Sequence, residues 1–552
     1  AGKDDDNNGF VDDVYGWSPV TNSPYQIREA QLTAYLRNRD AIARIIKIDN
    51  DRAEGRITDE EAELRLAEYT NPLSDIMGPL GGLDDEHFLN LVKEAAHGTH
   101  VAGIIVEASE SKARLHTIGL NFAEESRRIL GPGTDRVIDE LHAKSFDHDA
   151  VLGQLRARLL EYNTERGRRM SRYIQLTGCG VVNMSFGGGM NWWIGYAGRQ
   201  IMRCVERRAE MDPASVPSDE ELEQAARHWG FELYSANAVE LALVIYENPD
   251  VLFCAAAGNE DTNNDEALIY PAYLSRFFPN VTTVASVGRE DRISGFSNFG
   301  VDSVNIAAVG EDVLSTVIPE TPIYMDGTSM ATPYVAGVAA YVRAISPKIT
   351  AAELRQLIDY TARDVEQLHR FVSAGGIIDK AMLHDLFAGD ARAKALACAR
   401  VASNAALLVP SVYPHHAADA ERYSAEAIKL DPKSGEAWRA RSLTLYRAGD
   451  TDGAVTAMAQ AVGFEPENES IWMDRANLYA ELGNAAEVLS SLEKSIAILA
   501  ARGESANFLR ARRLILRAGL YLQLEEPDAA RQDARLAREI NPGVEMPEEL
   551  EN

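Results

Sequence analysis

Short apolar runs, each followed by a stretch with helical spacing, constrain this chain more than any other feature. They fall at residues 115–118, 181–186, 251–256, 281–287 and 304–307, and they are rich in β-branched and apolar residues without a strict alternation of apolar and polar positions. A strand of that kind must be covered on both faces, which is the condition of a parallel sheet joined by helical crossovers. Residues 1–388 are therefore expected to form an α/β domain with a mostly parallel sheet. The chain has 552 residues, more than one core ordinarily organises, so a further domain is expected as well.

Two stretches depart from the strand–helix rhythm, near 26–70 and 199–236. Each carries a capping-box pattern, Thr58 with Glu61 and Ser218 with Glu221, and each is rich in Arg and Glu at helical spacing. Both are expected to be helical insertions that form solvated excrescences on the domain, not charge-reading sites. Beyond a short linker at 389–400 the periodicity changes. Trp438 and Trp472, Gly449 and Gly483, and Pro432 and Pro466 are each separated by 34 positions, with Ala454 and Ala461 where two helices of a hairpin would cross. Three coincidences in one register resemble tetratricopeptide repeats, so residues 401–545 are expected to form an all-α solenoid. The last unit, ending near Pro542, runs about eight residues late by the same register, which implies a longer connection near 501–506.

Net charge narrows the partners. Asp and Glu total 84 against 55 Lys and Arg, a balance of -29 that disfavours nucleic acid. No apolar run reaches the roughly 20 residues needed to span a bilayer. The four cysteines, Cys179, Cys204, Cys254 and Cys398, show no paired spacing, which points to buried free thiols and not to a metal or disulfide framework.

Three segments carry chemistry. In Gly327-Thr328-Ser329-Met330-Ala331-Thr332-Pro333 a turn of small residues delivers a serine to the start of an apolar helix, where the positive end of the helix dipole favours a developing anion. Pro333 is expected in the first turn of that helix. Read alone, Ser329 could equally be a helix cap. In His97-Gly98-Thr99-His100-Val101-Ala102-Gly103, His97 offers the near-neutral base that a serine nucleophile requires. The pair His97 and His100 also has metal-ligand spacing, but no acidic third ligand accompanies it. In residues 251–259 an apolar strand ends at Gly258-Asn259, and the Asn259 amide could donate to an oxyanion or merely close a turn.

Taken in this order, the three segments resemble the subtilases, the subtilisin-like serine proteases. The resemblance implies a three-layer subtilisin-like fold for residues 1–388, with His97 as general base, Ser329 as nucleophile and Asn259 as oxyanion donor. It also implies that Ser185, Phe186 and Gly187 bind the substrate backbone, and that Ala257 and Gly258 wall the pocket for the residue before the scissile bond. Residues 287–297 and 308–316 match the family's later core strands. The product would be a serine endopeptidase acting on a polypeptide substrate, secreted or periplasmic as relatives are, needing no cofactor for its chemistry.

One element of the family pattern is missing. Before the histidine a subtilase carries an Asp at the end of a core strand, followed by Thr-Gly or Ser-Gly, and residues 1–97 hold no such motif. Ile48-Asp49 continues a helical pattern and does not supply it. The acidic segment from Asp4 to Trp17 resembles the stretch that follows this Asp, so the Asp is expected upstream of Ala1 and the chain is expected to be the later part of a longer protein. Asp4, Asp6, Asn8 and Asp12 in that segment allow two readings, a structural Ca2+ site and a solvated acidic turn. Functionally, the rival to an endopeptidase is an inactive pseudo-protease that uses the helical repeats as a scaffold for a protein partner. A peptide-transferring or cyclising relative would use the same residues.

Overall fold

A computed structural model of the chain describes residues 85–116, 118, 148–211, 217–316, 322–407 and 415–550, with a few isolated positions before residue 66. Asp4, Asp6, Asn8, Asp12 and Asp49 lie outside the described residues, and so does most of the 26–70 stretch. What is described there includes the capping box, with Glu61 N–H donating to Thr58 Oγ1 and Thr58 N–H to Glu61 Oε2. The chain divides into two compact units, Ala1–Lys380 and Ala381–Asn552.

In the first unit the helices are α1 (Asp85–Ala108), α2 (His148–Thr177), α3 (Met190–Met211), α4 (Asp219–Glu247), α5 (Thr328–Ile345) and α6 (Ala351–Tyr360). The strands used below are β1 (Val181–Met184), β2 (Leu252–Ala256), β3 (Val281–Val287), β4 (Ile306–Val309), β5 (Val313–Ser315), β6 (Ile323–Met325), β7 (Arg363–Asp364) and β8 (Gly376–Ile377). Among the described residues the main sheet has the order β7-β8-β4-β3-β2-β1, parallel throughout except for β7 against β8. The run at 281–287 is a strand over its whole length; those at 181–186 and 251–256 shorten by two residues and one at an end, and that at 304–307 shifts by two residues. Of the run at 115–118, Leu115 and His116 lie in a loop with Lys112 to Arg114, and Ile118 forms a single β-bridge.

Both faces of the sheet are covered, as apolar strands demand. All five residues of β2 and all seven of β3 are buried. Phe253 and Ala255 of β2 pack with Met170 and Ile174 of α2 and Val244 and Ile245 of α4. The alternate residues of β2 point to the opposite face, against which α5 packs across β1 to β4. β1, by contrast, is half-exposed over three of its four residues and forms the outer edge of the sheet as described.

Two expectations need correction here. The 199–236 stretch is not a solvated excrescence. Trp193, Tyr196 and Ile201 of α3 and Trp229, Leu233 and Tyr234 of α4 close an apolar core with Val151, Leu155 and Leu159 of α2. Of the charged residues described, Glu206 of α3 and Glu220, Glu223 and Arg227 of α4 are exposed, so charge content misrepresents helices whose inward stripe is aromatic. The 308–316 segment does not add a strand to the main sheet beyond β4. β5 instead pairs antiparallel with β6, placing Leu314 opposite Tyr324. Likewise, after β3 the chain leaves the sheet through a 3-10 turn at Arg289–Asp291 and returns as a loop.

The second unit is all helix: Lys380–Ala388, on the boundary, leads to Ala391–Leu407, His416–Leu430, Gly435–Arg447, Thr451–Phe464, Glu469–Glu481, Ala485–Ala501, Asn507–Gln523 and Pro527–Ile540. The presumed linker at 389–400 is thus helical from Ala391 on, a run of Ala, Arg and Lys with high helix propensity. Helix starts at 435 and 469, and at 451 and 485, keep the 34-residue spacing. Trp438 and Trp472 each donate from Nε1 to the carbonyl of the proline six residues earlier, at 2.9 and 2.8 Å. The late last unit arises mainly from two longer helices, Ala485–Ala501 with 17 residues where Thr451–Phe464 has 14, and Asn507–Gln523 with 17 where its predecessors have 13; the connection between them, with a 3-10 turn at Glu504–Ala506, adds little.

α1 and α5 cross at a glycine. A Cβ on Gly337 would stand 2.6 Å from Ala108 Cβ and 2.8 Å from the Ile105 carbonyl oxygen, so the helices touch backbone to backbone. Gly337→Ala should force them apart and lower stability by about 1–3 kcal/mol. Thermal unfolding checks this, and an unchanged midpoint would show that the crossing is looser than described.

Candidate active site

Ser329 is the partly exposed member of a buried turn, between Thr328 and Met330. It does not cap its helix. The cap is Gly327, at φ 144°, and Ser329 is the second residue of α5. Its hydroxyl donates to the Ser185 carbonyl at 3.3 Å, while the Ser185 hydroxyl donates to the Ser329 carbonyl at 2.9 Å. Pro333 makes the second bond possible. It lies inside the helix and not in the first turn as expected, and it has no N–H to give to the carbonyl four residues earlier, which is that of Ser329. The hydroxyl of Ser185 takes the vacant place.

The donors at the start of α5 are divided in a telling way. Thr328 N–H goes to Asn259 Oδ1 at 2.9 Å, and Met330 and Ala331 N–H go to the Gly327 carbonyl. Among the described residues the N–H of Ser329 is left for a ligand, at the positive end of the helix. Asn259 Oδ1 also accepts from Thr328 Oγ1 at 2.9 Å. With both acceptor positions engaged, the exposed amide turns its Nδ2 donors toward Gly327, 3.6 Å from where a Cβ would stand. An N–H and a side-chain NH2 thus flank the serine turn, as the stabilisation of an oxyanion requires.

His97 sits within α1, half-buried. The helix is fastened to the chain that leads into the serine turn. Ser315 Oγ donates to the His100 carbonyl at 2.8 Å, Thr316 Oγ1 to that of Thr99 at 3.3 Å, and His100 Nε2 meets the Ile323 carbonyl at 3.0 Å. Ile323 opens β6, six residues before Ser329 in the chain. Because His100 Nε2 is committed to that carbonyl, the metal-pair reading of His97 and His100 gains no support. Burial lowers the His97 imidazole to about 4, and His100 pushes in the same direction. Among the described residues no carboxylate bonds to His97.

The expected substrate-binding segments stand side by side. Ser185, Phe186 and Gly187 follow β1, and Ala257 and Gly258 follow β2, adjacent parallel strands in which Met184 pairs with Ala255. Both therefore emerge at the carboxyl ends of the strands, where open α/β sheets place ligands. Gly188 and Gly189 then pair with Tyr270 and Ile269. Sequence reading overlooked Thr328, Ser315 and Thr316, which position Asn259 and α1. Their only local signal is a hydroxyl beside a recognised motif. Cys179, Cys254 and Cys398 are free thiols.

An imidazole held near 4 remains neutral where an unfolded one, at 6.5, already takes a proton. Between those values the unfolded state binds more protons, so the stability of this 552-residue chain should fall as pH is lowered from 6.5 to about 4. His97→Gln should flatten part of that slope. A His97 titration midpoint at or above 6.5 by NMR would contradict the burial described.

Comparison with known proteins agrees with this arrangement. The profile of the subtilase family, Peptidase_S8, matches residues 84–376. Subtilisin-like protease 2 of Plasmodium falciparum is 38% identical over 120 residues, 21% of this chain and 9% of that protein. The cell wall-associated protease of Bacillus subtilis is 40% identical over 116 residues, 21% of this chain and 12% of that protein. A thermostable alkaline protease of Halalkalibacterium halodurans is 37% identical over 127 residues, 23% of this chain and 33% of that protein. The matches thus span a third or less of each relative's length. The family profile covers more than half of the chain and includes its serine, histidine and asparagine segments, and the chain belongs to the subtilase family.

Proposed function

We propose that this chain is the catalytic part of a serine endopeptidase. Ser329 Oγ attacks the scissile carbonyl, His97 takes the proton and returns it to the leaving amine, and Asn259 Nδ2 with the Ser329 N–H receives the oxyanion. The observation that carries the reading is the serine turn itself. A hydroxyl at the second position of a buried helix, not spent on capping, lies beside an unspent N–H and an oriented amide.

The third member of the triad is an Asp from a segment upstream of Ala1. Two features favour this: among the described residues His97 lacks a carboxylate, and among them β1 is the half-exposed end strand of the sheet, where another strand could pair. A carboxylate against the imidazole stabilises its charged form and would raise it from about 4 toward neutrality, where a general base works best. An extended peptide substrate would pair with Ser185–Gly187 by strand addition. The name of the Bacillus subtilis relative favours action outside the cytoplasm. The helices after residue 390 form a tetratricopeptide-like solenoid whose surface suits a protein partner. In the segment from Asp4 to Asp12 a structural Ca2+ is proposed on the resemblance alone.

Full-length protein carrying the upstream segment should hydrolyse a small chromogenic peptide, and Ser329→Ala should reduce the rate to background. Adding that segment to this chain should also raise the His97 midpoint. If the full-length protein is folded yet turns over no peptide, the inactive-scaffold reading prevails. Ending the chain at Gly389 should leave hydrolysis of a small peptide unchanged while slowing cleavage of large proteins; loss of small-peptide turnover would show that the helical unit is needed for the chemistry itself.

A further inference from the structure

The loop that carries Asn259 is tied together by one buried side chain outside the motif. Asn298 is fully buried and its amide makes all four bonds open to it. Oδ1 accepts from Glu260 N–H at 2.8 Å and Thr262 N–H at 3.0 Å. Nδ2 donates to the Ala257 carbonyl at 3.2 Å and to Glu260 Oε2 at 2.7 Å. Its own backbone N–H donates to the Gly258 carbonyl at 3.0 Å. The partners thus lie on both sides of Asn259, at 257, 258, 260 and 262, so the loop is wrapped around this amide. Gly258 records how close the approach is. A Cβ there would stand 2.3 Å from Asn298 Nδ2, and the backbone has φ +115°.

We infer that Asn298 is a positioning residue for the oxyanion donor: it fixes the loop so that Asn259 meets the Thr328 hydroxyl and N–H with its Nδ2 turned to the serine. The inference rests on the reading of Asn259 given above. It differs from a general stabilising role because the benefit must pass through Asn259. Thr328 aligns the amide from one side and Asn298 holds the backbone from the other. Neither touches the substrate.

The test is a double-substitution cycle in the full-length protein, with active sites counted by a serine-directed phosphonate so that kcat refers to folded enzyme. Asn259→Ala should lower kcat by about 10²–10³-fold with little change in KM, the loss known for the corresponding donor in subtilisin, a member of this family. Asn298→Ala should lower kcat by about 10²-fold through misplacement, again with KM nearly constant. The double variant should be no slower than Asn259→Ala alone, since there is then no donor left to misplace. Asn298→Asp provides a second route if the alanine variant fails to fold. It keeps both acceptor bonds but sets a carboxylate against Glu260, so kcat should fall, and Glu260→Gln added to it should restore most of the loss by donating in the reverse sense. Losses that multiply in the double variant, or a failure of Glu260→Gln to rescue, overturn the role of Asn298. An unsubstituted protein without turnover, or an Asn259→Ala variant with unchanged kcat, overturns the reading of the site beneath it.

Discussion

The close packing of α5 is the constraint from which the rest of the first unit follows. Ala331, Val335, Val338, Ala339 and Val342 are buried on it, and the helix meets four strands of the sheet and α1. Only small side chains permit so many simultaneous neighbours at backbone distance. The serine at its start is thereby set relative to the strand ends and to the histidine helix at once. α1 is held at two separated places, at the Gly337 crossing and through the β5–β6 hairpin. Rigid elements joined at two points fix an orientation that a single contact would leave free.

Within that frame the serine turn achieves exactness by withholding bonds. Pro333 leaves one carbonyl without its helical partner, and the serine N–H is left without a local acceptor. The first is taken up by Ser185, itself in the segment expected to bind substrate. The second remains for chemistry. Unspent polar groups cost stability when buried, so their survival beside the partly exposed serine marks where a ligand would repay them.

Much of this was legible in the sequence, and the failures have identifiable causes. Runs rich in β-branched and apolar residues located β1 to β4, most cleanly β2 and β3, where every residue is buried. Ser329 and Asn259 stood out because each lies at an end of an apolar element, and His97 because of its His-Gly-Thr-His setting. Charge content misled for α3 and α4, where arginines and glutamates concealed an aromatic stripe. Pro333 was placed too early, since sequence alone does not show that the helix begins at Thr328. The β5–β6 hairpin and Asn298 were invisible for a common reason. Ser315, Thr316 and Asn298 act through partners far along the chain, and a buried asparagine looks, in sequence, like any turn residue. The 34-residue rhythm, by contrast, reappeared as equally spaced helix starts, because each hairpin repeats the same local packing.

The central claim is that the hydroxyl of Ser329, served by His97, is the nucleophile. The most direct measurement is to treat the full-length protein with a fluorophosphonate and locate the adduct by fragmentation mass spectrometry. The account requires the label on Ser329, and requires that His97→Ala slow its attachment severely while leaving the fold intact. A label on any other residue, or one that forms at the same rate without His97, would contradict it.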